Sequence, residues 1–275
     1  MGEVIRLIIP VVIFAVVIIL ALYLFAQFVR RTSMFFPARY PEGAWEPSAY
    51  AIHPQDVSFT SDDGVRLHGW WFRAADPHAP LLIFFHGNAG NITDRGTTAA
   101  ELARRGIAVF LFDWRGYGRS EGQPTESGLF YDALAAYDFA RSRSDAPIVA
   151  YGESLGGPYA AYVARRRPVR CVVIENSFPS LAAIGNTLYR PLPLGWFAPR
   201  ALTTTRWLNE ARVPVLVIHG KLDEVIPFAL GIQLYDGLRV PKELLVSEKA
   251  HHCEFATVEP ERYYETVLKF VRQHI

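Results

Sequence analysis

The chain has 275 residues, of which 51% are hydrophobic, and its formal net charge is +1. This length is enough for one large domain with a substantial core. The near-zero charge argues against a nucleic-acid partner, because phosphate binding needs a clear basic excess. The two cysteines, Cys171 and Cys253, are too few for a disulfide framework or a zinc site. The histidines have no metal-ligand spacing, and we expect no metal and no other cofactor.

The N-terminus begins with an apolar segment in which residues 7–26 carry no charge. About 20 apolar residues in a helix cross the hydrocarbon core of a bilayer. A buried helix and a cleaved signal peptide are the alternatives. Signal peptides have apolar stretches of about 7–15 residues and a small-residue cleavage site, which Leu24-Phe25-Ala26 matches poorly. The sequence therefore predicts a single-pass membrane anchor over residues 1–31.

The charges that flank this segment bear on its orientation. Arg30, Arg31 and Arg39 follow it, whereas Arg6 alone precedes it. The positive-inside rule therefore favours a cytoplasmic location for the rest of the chain.

A connector rich in proline and aromatic residues, 32–56, precedes a region in which short apolar runs alternate with segments of helical spacing. The predicted strands are Val57–Thr60, Val65–Phe72, Leu81–Phe85, Ile107–Phe112, Ile148–Tyr151, Cys171–Ile174, Val215–Ile218 and Glu243–Val246. The predicted helices are Thr98–Arg105, Ser127–Arg141, Leu155–Arg166, Phe228–Gly237 and Pro260–His274. This alternation is typical of a doubly wound, mostly parallel α/β sheet. One domain is expected over residues 57–275.

Residues 178–210 interrupt this alternation with several prolines and bulky apolar side chains. They predict a short lid inserted over the sheet. Trp196 and Phe197 in this segment are expected to bind an acyl chain, since apolar and aromatic linings suit such a group. The alternative is that these residues only pack the lid onto the sheet.

The candidate nucleophile is Ser154, in the sequence Gly152-Glu-Ser-Leu-Gly156. This G-x-S-x-G pattern lies between a predicted strand and a predicted helix, which is the context of a nucleophile elbow. The serine of such an elbow occupies a strained turn that exposes its hydroxyl, and the helix N-terminus favours negative charge nearby.

An activated serine needs a base, and the base needs an orienting carboxylate. Asp223 follows a predicted strand at the position expected for the carboxylate, and Glu224 is its rival. The base is expected in the loop after the last strand, where His251 and His252 are adjacent. We prefer His251 and expect His252 to point elsewhere.

An oxyanion hole is expected in the segment His86-Gly-Asn-Ala-Gly-Asn91, which follows the predicted strand Leu81–Phe85. The backbone N–H groups of Asn88 and Leu155 are the candidate donors to the charge that develops on a substrate carbonyl oxygen. A glycine-rich phosphate loop is the competing interpretation, but the glycine spacing differs and no lysine follows.

These motifs, together with Asp113-Trp-Arg-Gly-Tyr-Gly-Arg-Ser-Glu-Gly122, His219-Gly-Lys-Leu-Asp223 and Ala250-His251, resemble those of the Bem46-like α/β-hydrolases. The resemblance covers nearly the whole chain, including the anchor and the lid. It implies the α/β-hydrolase fold and a Ser-Asp-His triad. In that family the histidine is usually followed by Asn-Asp, whereas His251 is followed by His252 and Cys253. The segment Asp113–Gly122 is expected to be a tight structural turn.

The expected function is hydrolysis of carboxylic esters or thioesters through an acyl-enzyme intermediate. The substrate would be an acyl ester, a lipid or an acylated protein, because the resemblance does not choose among them. A serine peptidase or amidase of the aminopeptidase-like branch and a non-catalytic binding protein remain alternatives. Epoxide and haloalkane hydrolysis are disfavoured, since they require a carboxylate where Ser154 stands.

Overall fold

A computed structural model describes residues 2–198 and 202–275, without the side chains of residues 2–7 and 31. Its first element is the 32-residue helix α1 (Gly2–Ser33). The segment Ile8–Arg30 has a mean hydropathy of 3.2, and the most apolar part of it is not buried in the protein. By length and composition α1 can cross a bilayer, although a signal sequence near an N-terminus has the same properties.

The centre of the molecule is an eight-stranded sheet, accompanied by a two-stranded sheet of β1 and β5. The strands in chain order are β1 (Phe36–Pro37), β2 (Gln55–Thr60), β3 (Arg66–Phe72), β4 (Leu81–Phe85), β5 (Ala89–Gly90), β6 (Ala108–Phe112), β7 (Ile148–Glu153), β8 (Cys171–Glu175), β9 (Val215–Gly220) and β10 (Lys242–Ser247). The order across the large sheet is β10-β9-β8-β7-β4-β6-β3-β2. All neighbours are parallel except the pairs β2–β3 and β3–β6. The prediction of a mostly parallel α/β-hydrolase sheet is confirmed.

Helices cover both faces of the sheet. They are α2 (Gly96–Arg104), α3 (Glu126–Arg143), α4 (Gly156–Arg166), α5 (Leu181–Leu188), α6 (Thr204–Ala211), α7 (Phe228–Gly237), α8 (Phe255–Val258) and α9 (Pro260–His274). Buried side chains of α3, α4, α6 and α7 share one apolar core, and those of α2, α8 and α9 share the other. Alternate residues of the central strands enter opposite cores. In β4, for example, Ile83 faces the first core and Phe84 the second.

The predicted lid divides into two parts. Helix α5 and a 3₁₀ turn at Leu194–Phe197 lie near the end of α1. Helix α6 instead packs on α4, where Trp207 makes edge-to-face contacts with Phe130 and Tyr162 within the first core. The covering part of the segment is therefore shorter than 178–210. Residues 199–201 of the predicted lid lie outside the described residues.

The connector after α1 packs onto the domain. Strand β1 pairs in parallel with β5, and Arg39 forms a bridge with Gly118. The Phe36 N–H donates a 2.8 Å hydrogen bond to the carbonyl of Asn88. The end of α1 is thereby held close to the loop in which the oxyanion hole is predicted.

The segment Asp113–Gly122 is a compact turn after β6. Gly116, Gly118 and Gly122 have positive φ, and a Cβ at Gly118 would lie 2.0 Å from Asp113 Oδ2. Within this turn Arg115 is almost buried and pairs with the fully buried Asp132 at 2.8 Å and with Asp63 at 2.7 Å. The turn is therefore fixed by Arg115, which joins the buried Asp132 to Asp63 at the surface.

Replacing this buried arginine tests whether the turn has a structural role. We expect Arg115→Leu to lower the free energy of unfolding by about 3–5 kcal/mol, because Asp132 would remain buried without a counter-charge. The matched control is Arg104→Leu, which removes an exposed pair with Glu101 and should cost less than about 1 kcal/mol. Urea unfolding of both variants in detergent gives the comparison. Equal costs would contradict the structural role.

Candidate active site

Ser154 lies in the tight turn between β7 and α4, at the centre of the sheet. Its φ is +50°, a left-handed conformation that residues other than glycine rarely adopt. The turn is held by a hydrogen bond from the Ser154 N–H to the Glu175 carbonyl at 2.8 Å. Ser177 Oγ and the Gly157 N–H donate to the Ser154 carbonyl at 2.8 and 3.0 Å.

The histidine beside this serine is His252. Its Nε2 lies 3.1 Å from Ser154 Oγ, and its Nδ1 lies 2.8 Å from Asp223 Oδ2. The preference for His251 from sequence is wrong in this geometry. His251 is exposed, and its Nδ1 contacts Glu224 at 2.9 Å. The rival carboxylate, Glu224, is therefore not the one that contacts His252; that carboxylate is Asp223.

The loop after β10 explains why the second histidine points inward. Its start is fixed by the Lys249 and Ala250 N–H groups, which donate to Ser247 Oγ. The Leu222 N–H donates to the Ala250 carbonyl at 3.2 Å, and Ala250 is completely buried. Of the two histidines that follow, His251 is exposed and contacts Glu224, whereas His252 is half-buried and contacts Asp223. Cys253 then has a left-handed φ of +56°.

Asp223 is a buried carboxylate surrounded by donors. Its Oδ1 accepts the Val225 and Ile226 N–H groups at 2.9 and 2.8 Å, and Asn176 Nδ2 donates to Oδ2 at 2.5 Å. Burial alone would raise the pKa of Asp223, but the hydrogen bonds from His219, His252 and Asn176 outweigh it and lower the pKa below its usual range. Because the carboxylate can only accept, His252 Nδ1 must donate to it, which leaves Nε2 free to accept the Ser154 proton.

The remaining histidines near the site have other contacts. The fully buried His219 lies 2.9 Å from the Ile226 carbonyl and 3.4 Å from Asp223, so it supports the carboxylate loop. His86 contacts the Gly87 carbonyl at 2.8 Å, and burial lowers its pKa to about 3. Within the described ranges no group of three His, Cys, Asp or Glu side chains is arranged to hold a metal ion.

The predicted oxyanion donors, Asn88 and Leu155, both line the same cavity as Ser154. The Asn88 peptide is held by two donors to its carbonyl, Tyr117 Oη at 2.7 Å and the Phe36 N–H at 2.8 Å. In the part of the chain that is described, neither the Asn88 nor the Leu155 N–H donates to another protein group. Both are therefore available to an oxygen in the cavity.

The cavity above Ser154 has a volume of about 210 Å³ and an apolar lining. Its walls come from the end of α1, from α5 and from the loop after β9, and include Ala26, Val29, Met34, Phe178, Leu181, Ile184, Leu188, Leu194 and Ile226. Trp196 and Phe197 are not among the lining residues. Trp196 is 80% exposed, and Phe197 packs edge-on against Tyr23 of α1. The prediction that these two residues contact the substrate directly is therefore wrong.

Comparisons with known proteins identify the family of this chain. A family model described as "Serine aminopeptidase, S33" matches residues 76–184. An uncharacterized protein of Mycobacterium tuberculosis is 32% identical over 270 residues, which are 96% of this chain and 95% of that one. The lysophosphatidylserine lipase ABHD12 of Xenopus tropicalis is 33% identical over 68% of this chain and 53% of its own length. The chain belongs to the Bem46-like α/β-hydrolases.

Solved structures show the same α/β-hydrolase fold. A Pyrococcus furiosus esterase superposes with a TM-score of 0.72, at 23% identity, over 88% of this chain and 98% of that one. The family also explains how the inward histidine can be recognised from sequence. Counted from His252, the residues that follow are Cys253 and Glu254. An acid two residues after the histidine matches the family pattern His-Asn-Asp more closely than the residues after His251 do.

Sequence reasoning also missed Glu153, the residue before the serine in the G-x-S-x-G motif. Its carboxylate accepts the Gly87 N–H at 3.1 Å and a hydrogen bond from Arg95 Nη2 at 2.6 Å. Burial would raise the pKa of Glu153, but the Arg95 guanidinium outweighs this effect and lowers it. A charged Glu153 thus ties the loop that carries Asn88 to the turn that carries Ser154.

Replacing the two histidines separately tests the assignment. His252→Ala should slow covalent labelling of Ser154 by a fluorophosphonate by about 10⁴-fold or more, because no group then accepts the serine proton. His251→Ala is the matched control and should change the rate less than about twofold, since it removes only an exposed pair. Labelling rates read by in-gel fluorescence decide between them. The reverse order would restore His251 as the base.

Proposed function

We propose that the protein is a membrane-anchored serine hydrolase that cleaves carboxylic ester or thioester bonds of acyl substrates. The observation that carries the proposal is the chain of contacts from Asp223 through His252 to Ser154, at 2.8 and 3.1 Å. These are hydrogen-bond distances of the kind that a nucleophile, its base and the orienting group of that base require.

The reaction follows from these contacts. Ser154 Oγ attacks the acyl carbonyl carbon while His252 Nε2 takes the hydroxyl proton. Asp223 stabilises the imidazolium that forms. When the tetrahedral intermediate collapses, the bond to the leaving alkoxide or thiolate breaks, and His252 returns its proton to that group. Water, activated by the same histidine, then hydrolyses the acyl-Ser154 ester and releases the acid.

The negative charge on the carbonyl oxygen needs stabilisation during both steps. The N–H groups of Asn88 and Leu155 would donate to it, and the N-terminus of α4 adds a favourable dipole. Preorganisation supports this role, because Phe36, Tyr117 and Glu153 fix the loop that carries Asn88. The donors therefore need no large rearrangement when the charge develops.

The lining of the cavity favours an acyl ester over an aminoacyl amide. An aminopeptidase must hold the positively charged amino group of its substrate, which calls for a carboxylate. Among the described residues that line the cavity there is no acidic side chain, and the one charged residue is Arg30. The Xenopus relative, whose name is that of a lipase, supports an ester substrate.

Membrane attachment through α1 belongs to the same proposal. Ala26, Val29 and Ser33 of α1 line the cavity, so the end of the apolar helix takes part in the site. A cleaved signal sequence would remove part of that wall. This contact supports a retained single-pass anchor. The surplus of arginines after the span supports a cytoplasmic catalytic domain.

Turnover of two chromogenic substrates tests the chemistry. We expect a p-nitrophenyl butanoate to be hydrolysed with a kcat/KM at least about 100-fold higher than that of an alanine p-nitroanilide. Ser154→Ala should abolish both activities, whereas Ser142→Ala, on the exposed side of α3, should leave them unchanged. A preference for the anilide would favour the peptidase, and activity that persists in Ser154→Ala would contradict the proposed nucleophile.

A further inference from the structure

The wall that α1 contributes to the cavity is a regular helical face. Four residues of α1 line the cavity: Ala26, Val29, Arg30 and Ser33. Their spacing of three or four residues along the sequence places them on one side of the helix. The neighbouring Phe28 lies on another side and is 61% exposed. At the same level along α1, one side of the helix therefore faces the cavity and the other side is exposed.

This wall lies at the end of the apolar span, where a bilayer-crossing helix reaches the membrane surface. The segment long and apolar enough to cross ends at Arg30, and Tyr23 packs edge-on against Phe197 of the lid at 6.2 Å between ring centroids. Next to Phe197, Trp196 is 80% exposed, and Leu188 and Leu192 of the lid are also exposed. Tyrosine and tryptophan at this level are typical of the membrane interface. The lid therefore has an apolar surface where the bilayer would begin.

The size of the cavity restricts what can enter it. Its volume of about 210 Å³ is below the range of about 300–1,000 Å³ that is usual for small-molecule sites. The lining on the side of α5, which includes Ile184 and Leu188, is apolar. Arg30 is the charged lining residue, and it is paired with Glu126 at 3.4 Å. A single acyl chain fits such a slot better than two chains or a ring system.

We infer that α1 is part of the substrate site, and that one acyl chain of a bilayer-resident ester lies between α1 and α5 with its carbonyl at Ser154. The chain enters from the membrane rather than from water, because one wall of its slot is the membrane helix itself. The expected substrate is a lipid ester with one acyl chain. This inference rests on the proposed serine esterase activity, and it adds that the anchor selects the acyl chain as well as holding the enzyme at the membrane.

Narrowing the α1 wall tests this inference in the full-length protein, reconstituted in phospholipid nanodiscs. The quantity measured is the ratio of kcat/KM for p-nitrophenyl dodecanoate to that for p-nitrophenyl acetate. Val29→Trp should lower this ratio at least about tenfold, since each methylene that loses its contact costs about fourfold. The ratio is independent of the fraction of active protein, so partial misfolding does not produce the effect. Ala26→Trp, one turn earlier on the same face, should also lower it.

The control is Phe28→Trp, which adds bulk at the same depth on the exposed side of α1 and should leave the ratio within about twofold. An unchanged ratio in Val29→Trp and Ala26→Trp, or an equal fall in Phe28→Trp, would overturn the α1 site. Failure of the esterase proposal looks different, because the wild-type protein would then hydrolyse neither ester or would do so without Ser154.

Discussion

The left-handed backbone of Ser154 is the constraint on which the rest of the site depends. A residue with a side chain held at positive φ costs about 1–3 kcal/mol, and the surrounding chain must enforce it. The neighbouring backbone segments pack closely around the turn and hold it in this conformation. They approach so closely that only glycine fits beside them: a Cβ at Gly156 would lie 1.8 Å from the Phe85 carbonyl oxygen, and one at Gly152 would lie 2.6 Å from Gly157 Cα. The two motif glycines thus let β7, α4 and the end of β4 meet at one point.

That meeting point determines where the other groups can act. Because β4, β7, β9 and β10 run parallel, their following loops converge on one edge of the sheet. The loop after β9 presents Asp223, and the loop after β10 presents His252. The buried Glu153–Arg95 pair then couples the loop after β4 to the serine turn. The order of the strands therefore brings the site residues to one edge of the sheet, and local hydrogen bonds fix the orientations of their side chains.

The sequence predicted the fold well because apolar runs and helix boundaries have strong local causes. Leu81–Phe85, Phe228–Gly237 and Pro260–His274 have the predicted bounds. The choice between adjacent histidines failed for a different reason. The directions of the two side chains depend on how the backbone at Ala250 is oriented. Leu222, in a loop distant in sequence, fixes that orientation through its hydrogen bond to the Ala250 carbonyl, and no local sequence pattern predicts such a contact. Trp196 was misjudged likewise, since an aromatic residue in a lid can face either substrate or membrane.

The two functions proposed for the N-terminal helix, attachment to a membrane and a wall of the substrate site, rest on different observations. An apolar helix of this length predicts attachment, but only the tertiary structure shows that its final turns line the cavity above Ser154. Connector residues reinforce this arrangement, because Phe36 reaches the Asn88 carbonyl directly after α1 ends. The end of α1, the loop that carries Asn88 and helix α5 consequently surround the same cavity.

The central claim is that Ser154 is the nucleophile, and trapping the covalent intermediate tests it most directly. The full-length protein would be mixed with a p-nitrophenyl ester, quenched in acid within milliseconds, digested and analysed by mass spectrometry. If Ser154 is the nucleophile, p-nitrophenol appears in a burst that approaches one equivalent, and the peptide that contains Ser154 carries the acyl group. An acyl group on Cys253 or another residue instead, or turnover with no acylated peptide, would contradict it.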